Sequence, residues 1–256
     1  MKKVFFGLLL LTSIFSFAQS KEKMDGNFHI YLLVGQSNMA GRGAVDSISK
    51  ETNAQIVMLD RSGNWVPATD PVHFDKPAAV GVGPAIGFAK EMIKDNGKIK
   101  IGLVPCAWGG SSIKVWEPDS AYLTGHPYDD AIKRTRIAMQ SGVLKGILWH
   151  QGESDNSPQG VDYYMDKIKV LIERFRTEFN NPALPFVAGE IGYFGKSTRI
   201  NKVLNEIPNQ ITNTATVSAE GLTDKGDQTH FDAPSARELG KRYAVAMKKL
   251  LATQKK

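Results

Sequence analysis

"LLVGQSNMAGRG", residues 32–43, sets a serine directly behind an apolar run and inside a cluster of small and polar residues. The run, "FHIYLLV" over 28–34, is apolar almost throughout, as a strand covered on both faces should be. Five more such runs follow: "QIVML" (55–59), "KIKIGLVP" (98–105), "GVLKGILWH" (142–150), "PFVAGEIG" (185–192) and "TATVSAE" (214–220). Helical patterns lie between them. Pro84 opens one through Ile86, Ala89, Met92 and Ile93, which stops at "DNG" (95–97). "YYMDKIKVLIERFRTEFN" (163–180) repeats Met165, Ile168, Leu171, Ile172, Phe175 and Phe179 with helical period and ends before Pro182. A last helix starts at Asp232, a good N-cap, with Pro234 in its first turn, and buries Leu239, Tyr243, Met247 and Leu250. Alternation of this kind predicts an α/β fold, a mainly parallel sheet between two layers of helices. Ligands of such sheets lie outside the carboxyl ends of the strands.

Taken alone, the Gly-Ser-Asn stretch reads as a tight turn, since glycine tolerates positive φ and Ser and Asn bond nearby backbone. It is not a G-x-S-x-G elbow, because position 39 is Met. Three further polar clusters change the weighing. "CAWGGSSIKVW" (106–116) follows the run ending at Pro105, and "HQGESD" (150–155) follows "GILW". "DKGDQTHFD" (224–232) precedes the last helix. The fold places these clusters on one rim with Ser37.

A serine is a weak nucleophile and needs a base in reach, held by a third group. Asp227 and His230, three apart in "DQTH", can face one another and supply both. Donors for an oxyanion are available in the Ser37 N–H, a glycine N–H at 109 or 110, and the Gln151 side-chain amide. Glu153 reads as a possible helper acid for His230 or as a buried carboxylate satisfied by backbone. Asn38 is expected to brace a turn and not to react. His29 reads as structural, His150 as a cleft residue, and His73 and His126 as loop histidines. Trp108, Trp116 and Trp149 could stack on a sugar or pack in the core. No metal-ligand spacing is present, so no metal and no cofactor are expected.

Composition bounds the rest. The 256 residues suit one domain, read here as 19–256, and 42% hydrophobic with 23% charged residues is an ordinary globular balance. "MKKVFFGLLLLTSIFSFAQS" (1–20) has two lysines, a short apolar run and small residues at Ser16 and Ala18. It reads as a signal peptide over 1–18, too short and interrupted for a membrane anchor, so export to periplasm or medium is expected. Without Lys2 and Lys3 the formal charge falls from +6 to +4, scattered rather than striped, which argues against nucleic acid as a partner. The single cysteine, Cys106, has no intrachain partner, so stability must come from the core.

The four blocks "GQSNMAGRG", "PCAWGGSSIKVW", "WHQGESD" and "DQTHFD", in that order, resemble the SGNH (GDSL-like) hydrolases. More narrowly, the chain resembles the sialate O-acetylesterase-like and acetylxylan esterase group, carbohydrate esterase family six. The resemblance spans about residues 28–250. It implies a three-layer α/β/α, flavodoxin-like fold and a metal-free serine esterase that removes acetyl groups from carbohydrate. By position it carries the nucleophile to Ser37, the base to His230 and the acid to Asp227. It carries the oxyanion donors to Ser37, Gly110 (or Gly109) and Gln151. Gln151 stands where the wider SGNH pattern has asparagine, and the glutamate of that block, Glu153, stays open as an alternative acid. Competing expectations are a lipase or thioesterase on the same scaffold and a non-catalytic carbohydrate-binding module.

Overall fold

Seven strands form one sheet in the order β3-β2-β4-β1-β5-β6-β7, seen in a computed structural model that describes residues 25–195 and 197–254. The leader read over residues 1–18 lies outside the described residues. In chain order the elements are β1 (Asp25–Gly35), α1 (Ser37–Ala40), β2 (Ile56–Leu59), β3 (Trp65–Pro67), α2 (Pro84–Ile93) and β4 (Lys100–Pro105). They continue with α3 (Pro127–Ala138), β5 (Gly142–His150), α4 (Pro158–Glu178), β6 (Phe186–Gly189), α5 (Arg199–Gln210), β7 (Thr214–Val217) and α6 (Ala233–Thr253). All six runs read from the sequence are strands, and every pairing among them is parallel. Only the short edge strand β3 is antiparallel, in a hairpin with β2.

β1 shows why the sheet must be covered twice. Ile30, Leu32 and Val34 enter one core with residues of α3, α4 and α5. Tyr31 and Leu33 enter the other with residues of α2 and α6. All five are fully buried, and at about 1.5–3 kcal/mol per buried large apolar side chain this strand anchors both layers. The three helices read from the sequence are present. Asp232 caps α6, its carboxylate accepting from the Ser235 N–H, and Ser157 caps α4 in the same way at the Gly160 N–H.

Helices α3 and α5 and strand β3 were not expected. In α3 the apolar stripe is thin, with Asp129, Asp130, Lys133, Arg134 and Arg136 among its twelve residues. In α5 the sequence carries Pro208 and alternates polar with apolar residues, yet Ile200, Leu204 and Ile207 form a buried stripe. β1 lies at the centre of the sheet. The chain moves from it toward β2 and β4 on one side, then crosses to β5, β6 and β7 on the other. The loop beyond β1 therefore opens at the switch in direction, where a crevice forms.

Candidate active site

β1 ends in a turn that only glycine can make. Gly35 has φ +124°, and a Cβ there would lie 2.1 Å from the His150 carbonyl oxygen. That carbonyl instead accepts the Gln36 N–H at 2.8 Å, while the Gly35 carbonyl accepts the Trp108 N–H at 2.8 Å. The turn is thus tied to the ends of both neighbouring strands, and Ser37 starts the one-turn α1 at their rim. Ser37 is 6% exposed, less open than a surface turn would be.

The loop before α6 meets it from the other side. Ser37 Oγ lies 3.0 Å from His230 Nε2, and His230 Nδ1 lies 2.7 Å from Asp227 Oδ2. An ionised carboxylate only accepts, so the proton sits on Nδ1 and the Nε2 lone pair faces the serine hydroxyl. Asp227 Oδ1 also accepts the backbone N–H groups of Thr229 and His230. Burial pushes the Asp227 carboxyl up, but the hydrogen bonds from the His230 ring and these two N–H groups outweigh it. The acid is held below the usual carboxylate range. Residues 193 apart in sequence thereby make a continuous chain of carboxylate, imidazole and hydroxyl.

The two candidate glycines separate cleanly. The Gly109 N–H donates to Asp75 Oδ2 at 2.7 Å, and its carbonyl accepts from the Tyr122 hydroxyl at 3.1 Å. Gly109 is buried, while Gly110, at φ +82°, is exposed on the rim. Asp75 also pairs with Arg42 at 3.0 Å, with both side chains nearly buried. A residue of the serine loop therefore helps fix the glycine loop.

Gln151 departs from expectation. It is fully buried, and its Nε2 faces Asp155 Oδ2 at 2.6 Å, the Ser111 carbonyl at 3.0 Å and Gln36 Oε1 at 3.1 Å. Two hydrogens already serve three acceptors, so the structure does not bring this amide forward as an oxyanion donor. It joins the loops that follow β1, β4 and β5.

Glu153 also differs from the helper acid considered from sequence. Its Oε1 accepts from Asn38 Nδ2 at 2.5 Å, and its Oε2 is buried without a partner among the described residues. Burial raises its carboxyl above the usual range. His150 Nε2 lies 3.8 Å away, but burial pushes that imidazole down to about 3, so the contact is not an ion pair. His150 is wholly buried and meets Tyr243 Oη instead of lining a cleft. His73 lies in a loop, as read, but is buried there, and burial pushes it down to about 4. Trp116 and Trp149 pack edge to face in the core at 5.1 Å, so of the three tryptophans read as sugar platforms Trp108 is the half-exposed one. Sequence reading missed Arg42, Asp75 and Tyr122. Arg42 stood inside the quoted block, whereas "HFDKP" around Asp75 carries no pattern to find.

Two cavities border the loops around the site, and neither is lined by Ser37, Asp227 or His230. One of ≈ 290 Å³ is lined by Glu153, Asn156, Ile191, Phe194, Gln228 and Thr229, beside the histidine loop. One of ≈ 280 Å³ lies beside the glycine loop, with Arg61, Asp75, Trp108, Asp130 and Arg134 in its walls.

Comparison with known proteins places this geometry. The family described as "Carbohydrate esterase, sialic acid-specific acetylesterase" matches residues 27–249. A probable carbohydrate esterase of Arabidopsis thaliana, At4g34215, is 34% identical over 239 residues, 85% of this chain and 89% of its own. The solved structure of that Arabidopsis thaliana protein superposes with a TM-score of 0.77 at 32% identity, covering 88% of this chain and 99% of the other. NanS shares the fold with a TM-score of 0.72 at 18% identity, covering 90% and 100% of the two chains. XAC1771, a carbohydrate acetylesterase from Xanthomonas citri, shares it with a TM-score of 0.68 at 22% identity, covering 88% of this chain and 57% of the other.

Proposed function

The chain belongs to the carbohydrate esterase, sialic acid-specific acetylesterase family, and from that premise we propose that it is an exported, metal-free serine esterase that removes O-acetyl groups from carbohydrate. As a member it is a carboxylic ester hydrolase of SGNH fold. The observation that carries the finer reading is the Asp227–His230–Ser37 chain of contacts at 2.7 and 3.0 Å. His230 Nε2 takes the hydroxyl proton as Ser37 Oγ attacks the acetyl carbonyl, and Asp227 stabilises the imidazolium formed. The oxyanion is met by the N–H of Ser37, which has no intrahelical acceptor at the start of α1, and by that of Gly110. Each such donor contributes about 3 kcal/mol. His230 then gives its proton to the leaving sugar oxygen, and an acetyl-serine remains. Water, deprotonated by the same imidazole, repeats the attack and releases acetate. Export rests on the leader read from residues 1–18.

The cavity beside the histidine loop supports an alcohol rich in hydroxyls over a long acyl chain, because five of its nine lining residues, Glu153, Asn156, Ser197, Gln228 and Thr229, are polar. A longer acyl chain left in water forgoes about 0.8 kcal/mol per CH₂ that a lipase gains. The expected profile is kcat/KM falling from acetyl to butyryl to octanoyl esters of p-nitrophenol. Acetylated xylo-oligosaccharides or acetylated sialic acids should surpass all three. A rise toward octanoyl would replace this reading with the lipase.

A further inference from the structure

Asn38, the residue after the serine, is 3% exposed and uses its whole amide across long separations. Nδ2 donates to Glu153 Oε1 at 2.5 Å and to the Thr229 carbonyl at 3.0 Å, while Oδ1 accepts the Phe231 N–H at 3.1 Å. The Thr229 carbonyl belongs to the peptide bond that enters His230, and the Phe231 N–H to the peptide bond that leaves it. One side chain therefore grips both peptide groups of the histidine from the element that carries Ser37. We propose that Asn38 is a positioning residue that sets His230 against Ser37, with Glu153 holding its amide in that orientation; this rests on the serine-esterase reading above.

The loop needs such a grip. Residues 225–229 are exposed, and Gly226 and Gln228 have φ of +102° and +56°. Its own contacts are local: Asp224 accepts from the Gly226 and Gln228 N–H groups, and Asp227 from those of Thr229 and His230. Local bonds shape the loop but do not place it over the serine. Phe231, buried against His150 and Phe194, anchors its far end, and the Asn38 contacts, spanning 191 and 193 residues, tie the histidine itself to the serine's element.

The role of Glu153 follows from the amide's two-fold ambiguity. Flipped, Asn38 would point its oxygen at the Thr229 carbonyl and Glu153, and its NH₂ at the Phe231 N–H. Every contact would then oppose like with like. The Thr229 carbonyl and the Phe231 N–H select one orientation, and Glu153 adds a second acceptor that reinforces it. Glu153 thus reaches His230 through Asn38 and not by touching the imidazole. Buried polar groups of this kind are costly to leave unpaired, so the network is held as a unit.

Polarity reversal tests this. Asn38→Asp keeps the shape and the acceptor for Phe231 but faces Glu153 with a second carboxylate. Adding Glu153→Gln returns a donor, with the amide now on the other residue. With p-nitrophenyl acetate, Asn38→Asp should lower kcat about 100-fold with KM within threefold, and the double variant should recover at least tenfold of that loss. A second readout needs no turnover: the low-field proton of the His230–Asp227 hydrogen bond in proton NMR should vanish in the single variant and return in the double. If Asn38→Asp does not fold, Asn38→Ser, which retains one small hydroxyl, is read in both assays instead and should show the same losses. A kcat within threefold of wild type together with an unchanged NMR proton would overturn the positioning role. A double variant no better than the single would overturn the part assigned to Glu153. Wild-type protein that shows the NMR proton but releases no acetate would instead refute the esterase reading, leaving the placement of His230 intact.

Discussion

The serine loop and the histidine loop carry the two ends of the 3.0 Å contact between Ser37 and His230, yet they are built in opposite ways. Residues 35–43 are sunk into the molecule: Gly41 and Gly43 exchange backbone hydrogen bonds with Gly81 and Val82 at 2.8–3.1 Å, and Gly35 has no room for a side chain. Residues 224–230 lie at the surface, and a Cβ at Gly226 would meet nothing within 4 Å. Ser37 is fixed by the sheet itself. His230 is held by a few polar contacts and by the buried Phe231 that follows it. Loss of packing should therefore damage the first loop through stability, and loss of a hydrogen bond should damage the second through rate.

Removing the reactive atoms tests both loops together and is the largest effect expected. Ser37→Ala should lower kcat/KM by about 10³-fold or more while thermal unfolding stays near wild type, since one buried hydroxyl is lost and no cavity of consequence forms. Activity within tenfold would remove Ser37 as nucleophile. Next in size is the contest between the two acids. Asp227→Asn loses the acceptor for Nδ1–H and the charge that stabilises the imidazolium, and kcat should drop about 10³-fold. Glu153→Gln keeps an oxygen for Asn38 and should cost less than about tenfold. The reverse ranking in steady-state kinetics would move the acid to Glu153.

Alanine at two glycines sharpens the contrast in stability. Gly35→Ala drives a Cβ into the His150 carbonyl oxygen, at 2.1 Å, and should destabilise by more than about 3 kcal/mol in urea unfolding. Gly226→Ala meets open space and incurs only the left-handed backbone penalty, about 1–2 kcal/mol. Equal losses would show that the two loops are not built differently.

The smallest effect lies just behind the serine loop. Asp70 is 6% exposed, and burial, only partly offset by the Gly83 N–H that faces its carboxylate, pushes the group up to about 7. A raised folded pKa means that the protonated form suits the fold. The associated stability is full below the ordinary carboxylate range near 4 and is lost as pH rises toward 7. Asp70→Asn should therefore raise Tm by a few degrees at pH 8 and leave it nearly unchanged at pH 4. An equal shift at both pH values would mean that Asp70 is not titrating in the folded protein.

Sequence periodicity determined the strands and the strong helices because apolar repeats are local and answer only to which face is buried. β1, α4 and α6 were legible for that reason, as were the four polar blocks at strand ends and before the last helix. The Asp227–His230 offset was also legible, since three residues of one turn decide it. Helices α3 and α5 were not, because polar and charged residues interrupt their apolar stripes and tertiary packing supplies the missing stability. That the Gly109 N–H is already taken depended on Asp75, a residue with no motif, approaching from another loop. Gln151 stands in the expected block, yet what its amide meets was decided by Ser111 and Asp155 arriving from either side. Asn38 stands beside the serine in every reading of the chain, but its hold on His230 exists only once residues 191–193 positions apart share one rim. Residue type and spacing are written along the chain, whereas a hydrogen bond's partner is chosen by distance and direction, which only the folded loops define.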